Sequence, residues 1–75
     1  MKIKFKDSYK MMGLNIAYYR KKLGYTQENL AERIGIDQTH MSKIEVAAVG
    51  ISFDVFFEIA DALGVSPKQL LDFER

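Results

Sequence analysis

The stretch "YTQENLAERIGIDQTHMSKIE", residues 25–45, holds two helix-start signals, Thr26 and Asp37, with Gly35 between them. Thr and Asp side chains accept the unpaired N–H groups of a helix's first turn, which makes each a natural first cap. Thr26 therefore opens a helix over 27–34, with Glu28 in the turn that the helix dipole favours for acids. Leu30, Ala31 and Ile34 face inward along it, and Gly35 ends it. Asp37 opens the next helix, from Gln38 to at least Glu45. Two short helices that cannot run on as one must cross at a steep angle.

The rest of the chain is punctuated in the same way. "MKIKFKD" (1–7) alternates charge and hydrophobe and reads as a short strand or an unstructured arm. Ser8, or a residue soon after it, begins a helix that runs to Leu23, with Gly24 just past its end. Met12, Ile16, Tyr19 and Leu23 form its inward stripe. Ser52 caps "FDVFFEIADAL", where Phe53, Phe56, Ile59, Ala60 and Leu63 share a face, and Gly64 stops it. Ser66-Pro67-Lys68-Gln69 is a capping box with proline at the first helical position. The expectation is an all-α domain of five short helices over 8–75, preceded by the 1–7 arm.

Composition narrows the chemistry. Seventy-five residues make one small domain, which buries only about 60% of its unfolded surface. The chain has no cysteine and one histidine, His40, so disulfides and thiolate or multi-histidine metal sites are excluded. No apolar run approaches the roughly 18 residues of a membrane span, and the lysine-rich start lacks a signal peptide's apolar stretch. A soluble, cytoplasmic protein is expected. The net charge of +1 hides an asymmetry. Residues 1–33 hold eight basic and three acidic residues, net +5, and residues 34–75 hold three and seven, net −4. One anionic partner on one face suits that division, as does ordinary surface scatter.

Placed on a helix at about 100° per residue, residues 38–45 put Met41 and Ile44 on one side, as the large hydrophobes available to dock it. The opposite side shows Thr39, Ser42 and Lys43, with Gln38 at its edge and His40 and Glu45 on the flanks. Gln bonds adenine bidentately, Lys reaches guanine or phosphate, and Thr and Ser bond either or touch a thymine methyl. The side suits a major-groove reader, although any small helix needs a polar outer face. Ala31 is small where two helix backbones approach, Gly35 permits a left-handed turn residue, and Ile36 plugs the turn into the core.

Arg20, "GYTQENLAERIGI" (24–36), the spacing of Met41 and Ile44, Glu45, and "EIADALGVSPKQLL" (58–71) together resemble the phage-repressor family, Cro and lambda-repressor-like, also called XRE. The likeness covers about 12–71, with the helix-turn-helix at about 27–46. It implies a five-helix DNA-binding domain and base contacts from Gln38, Thr39, Ser42 and Lys43. It also implies that Gln27 touches the DNA backbone and braces Gln38, that His40 lies near a phosphate, and that Arg20 pairs with Glu45, mainly as structure. Family members usually read half-sites about 34 Å apart as dimers. Candidate interface residues are Phe57, Leu71 and Phe73, apolar positions left over once the core is filled.

One segment departs from the family pattern. After Glu45 the family has basic or polar residues and a glycine, whereas this chain has "VAAVGIS" (46–52), with no charge. Nothing there breaks a helix before Gly50, so the third helix is free to continue through Ala47 or Ala48. A basic grip on phosphate is missing, and each lost contact lowers the salt slope by about 0.9. Lys21 and Lys22 are candidate backbone contacts that compensate. The segment either tucks under the fourth helix or forms a contact surface.

The function this supports is a sequence-specific, dimeric DNA-binding regulator, most plainly a repressor. The alternative is a protein-interaction module, such as an antitoxin, that keeps the fold. An enzyme finds no support in any nucleophile–base pair or glycine-rich phosphate loop. No cofactor is implied.

Overall fold

The first helix starts earlier than Ser8. In the computed structural model, which describes residues 5–73, α1 spans Lys6–Lys22. The carbonyl of Phe5 accepts the Tyr9 N–H at 3.1 Å, so Lys6 and Asp7 are already helical. The arm expected at 1–7 is thereby shortened, and residues 1–4 of it lie outside the described residues. The other helices are α2 (Gln27–Ile34), α3 (Gln38–Glu45), α4 (Phe53–Leu63) and α5 (Pro67–Leu70), with no strand among the described residues.

The helices α2 and α3 pack against each other, with α4 behind α2 and α1 behind α3. Ile16, Leu30, Met41, Ile44, Ile59 and Leu70 are the large side chains closed off in the centre, one or two from each helix. Burial of such a side chain contributes roughly 1.5–3 kcal/mol.

Two apolar stripes run differently from their sequence pattern. On α1 the inward line holds through Tyr19, but Leu23 is 53% exposed. Leu23 lies past the last helical residue, and Arg20 fills the inward place in the last turn. On α4, Phe56, Ile59, Ala60 and Leu63 are buried, whereas Phe53 is 76% exposed. Phe53 is the first residue of α4, and its side chain leans back over a turn that no described element covers. It stacks instead on Phe57, with ring centroids 5.8 Å apart.

Helix α3 stops at Glu45 instead of continuing. Ala47 takes a left-handed conformation, φ 59°, without being glycine. The Ala48 N–H reaches the Lys43 carbonyl at 2.8 Å and the Ala47 N–H the Ile44 carbonyl at 3.2 Å. That pair of bonds is a Schellman closure, which normally places glycine where Ala47 stands. Burial of Ala47 under the core accompanies the strained angle. The uncharged segment therefore splits: Ala47 is buried and Val49 and Ile51 pack on the core, while Val46 and Ala48 stay exposed.

Candidate nucleic-acid interface

The outer face of α3 is held from both ends. At the start, the Asp37 carboxylate accepts the His40 N–H at 2.7 Å. Before it, Gly35 takes φ 81°, and the Ile36 N–H returns to the Ala31 carbonyl at 3.0 Å, which closes α2 and turns the chain. Ile36 packs on the core from this turn, and Ala31 is buried. Upstream, Thr26 and Asn29 cap each other across the first turn of α2, at 3.0 and 3.3 Å. Met41 and Ile44 dock α3 with almost no exposure.

What remains outward is a shallow depression lined by Gln38, Thr39, Ser42 and Lys43. Gln38, Thr39 and Lys43 are exposed, and Ser42 is half-buried. These are the residues that the helical wheel set on the outer side. They bring together an amide, two hydroxyls and an ammonium, with no carboxylate among them. His40 is half-buried on the flank. Lys21 and Lys22 are exposed in the last turn of α1, and the Lys22 ammonium lies 5.8 Å from the Tyr18 ring centre.

Beneath this face lies a buried ion pair. The Arg20 guanidinium donates from Nε to Glu45 Oε2 at 2.7 Å and from Nη2 to Oε1 at 3.0 Å. Its Nη1 donates to the Tyr25 carbonyl at 2.8 Å. Arg20 and Glu45 are 7% and 8% exposed, so the fork is shielded from water and its geometry carries its value.

Gln27, expected to brace Gln38, has a further partner in the structure. Its Nε2 donates to Glu45 Oε1 at 3.0 Å, so the carboxamide leans on the ion pair. Sequence reading had no way to name Glu45 as an acceptor for Gln27, because that depends on where Arg20 of α1 holds the carboxylate.

Two further residues were passed over. Gly13, in the middle of α1, faces the Glu45 backbone so closely that an added Cβ would strike its carbonyl. A glycine inside a helix costs about 1 kcal/mol against alanine, and that cost was a readable sign of close packing. Asn15 is 2% exposed and donates to the Leu70 and Asp72 carbonyls, each at 3.0 Å, which ties the end of α5 to α1. A polar residue beside the Met12–Ile16 stripe was its signal.

The dimer candidates lie on another side of the molecule. A largely apolar groove is lined by Phe5, Ser8, Tyr9, Met12, Ile51, Phe53, Phe56, Leu71 and Phe73. Phe57 and Leu71 are half-exposed, and Phe73 packs partly on the core. Among the described residues, no helix is long and apolar enough to cross a membrane, and no group of three or more His, Cys, Asp or Glu is placed to hold a metal ion.

Known proteins resemble this chain in sequence and fold. The Helix-turn-helix family model matches residues 16–70. The HTH-type transcriptional regulator y4dJ of Sinorhizobium fredii is 35% identical over 65 residues, 87% of this chain and 84% of that protein. The restriction-modification controller protein C.AhdI of Aeromonas hydrophila superposes with a TM-score of 0.82 at 25% identity, over 85% of this chain and 97% of that one. The P22 c2 repressor, solved with a synthetic operator, superposes with a TM-score of 0.77 at 28% identity, over 84% and 96%.

Proposed function

This chain belongs to the helix-turn-helix family in its phage-repressor form, and we propose that it is a cytoplasmic transcription regulator that binds operator DNA. In this reading α3 enters the major groove and Gln38, Thr39, Ser42 and Lys43 read base edges. The carrying observation is that these four side chains form one carboxylate-free surface on a helix whose other side is locked into the core. Gln27, His40, Lys21 and Lys22 contact the DNA backbone. The operator contact of the P22 c2 repressor and the regulatory role of C.AhdI support the class of function.

The regulator acts as a homodimer and represses by occupying its site. The apolar groove and the adjoining Phe57 supply the face through which two copies join. A second reading, a contact with another protein, is favoured by Val46, which stands 61% exposed beside the recognition helix where a phosphate-gripping cation is absent. Footprinting on operator DNA separates the two. Protection of two half-sites about one helical turn apart supports the dimeric reader. Absence of any protected sequence at low salt turns the assignment toward a protein partner.

A further inference from the structure

We propose that the buried Arg20–Glu45 pair is a positioning device for the DNA backbone contact, because it holds the Gln27 carboxamide in one orientation at the first residue of α2. The inference rests on the reading of Gln27 as a phosphate contact and adds what sets that contact.

The geometry is specific. Arg20 grips the segment that leads into α2 twice, once at the Tyr25 carbonyl and once through Glu45 Oε1, which also accepts from Gln27. Glu45 is the last residue of α3, and its backbone lies against Gly13 of α1. One carboxylate thus fixes α1, the entry to α2 and the end of the recognition helix relative to one another. A glutamine side chain has large rotamer freedom. Its primary amide carries two N–H groups, and Glu45 takes one of them. The second N–H remains on a half-buried side chain at the helix start, set for a phosphate oxygen without a search.

The test uses the whole chain and a mixed-sequence 20-base-pair duplex, because a backbone contact is independent of sequence. Affinity is measured at one salt concentration for the wild type, Gln27→Ala, the pair Arg20→Met with Glu45→Met, and the three changes together. Methionine pairs are chosen because buried ion pairs are often replaced by apolar residues without loss of folding. Gln27→Ala is expected to weaken binding about fivefold. The folded methionine pair is expected to match it, and the triple variant to be no weaker than Gln27→Ala alone. A folded methionine pair that binds like the wild type overturns the proposal and leaves the Gln27 contact standing. Wild-type affinity for Gln27→Ala removes the underlying reading instead. If the methionine pair does not fold, the Gln27 side-chain N–H signals of the wild type decide. One protected N–H, with its geminal partner alone shifting on addition of duplex, supports the proposal. Two solvent-like signals overturn it.

Discussion

Lys43 and Gln38 sit on one exposed face, yet their loss should read differently. Gln38→Ala removes an amide suited to adenine and is expected to relax preference at one base position, at about 1–3 kcal/mol. Lys43→Ala removes a cation suited to guanine and is expected to relax preference at another base position, with a loss of overall affinity as well. Footprints and binding titrations of the two variants check this, and unchanged footprints in both contradict the assignment of that face. Gly13→Ala probes the layer beneath. Helix propensity favours alanine by about 1 kcal/mol, but the new methyl strikes the Glu45 carbonyl, a backbone atom that has little room to yield. Overpacking of this kind costs typically 1–3 kcal/mol. A net loss of stability is therefore expected in urea unfolding, and a gain would contradict the close approach.

At the scale of elements, what was legible was local. Thr26, Asp37 and Ser52 cap α2, α3 and α4 where the sequence placed them, since a cap bonds an N–H only three residues away. The outer face of α3 was legible because Met41 and Ile44 fix its rotation. What was not legible depended on distant partners: the end of α3 at a left-handed alanine, the outward turn of Phe53, and the choice of Glu45 by Gln27. Ala47 shows the competition in numbers. A left-handed residue with a Cβ costs roughly 1–2 kcal/mol, whereas glycine would forfeit a buried methyl worth about 0.8 kcal/mol and add about 0.5–1 kcal/mol of chain entropy. Ala47→Gly is accordingly expected to leave stability within about 1 kcal/mol of the wild type by thermal melting. A larger shift in either direction means that the strain or the burial has been misjudged.

For the whole molecule, charge and apolar surface divide the work. The uncharged 46–51 segment provides no cation beside α3, so the proposed backbone contacts are Gln27, His40, Lys21 and Lys22. In the proposed dimer, each copy would add its own set of these contacts. Phe57→Asp with Leu71→Asp places charge on half-exposed residues and should leave the fold intact. It is expected to weaken self-association at least about tenfold in sedimentation, a change of about 1.4 kcal/mol. Undiminished dimers would put the interface elsewhere. Whether α3 reads bases is decided by selection of bound duplexes from a random-sequence library at about 50 and 200 mM salt. The expected result is an enriched palindrome with half-sites about one helical turn apart, bound less tightly at the higher salt. Recovery of no preferred sequence at the lower salt would contradict α3 as a reader of bases.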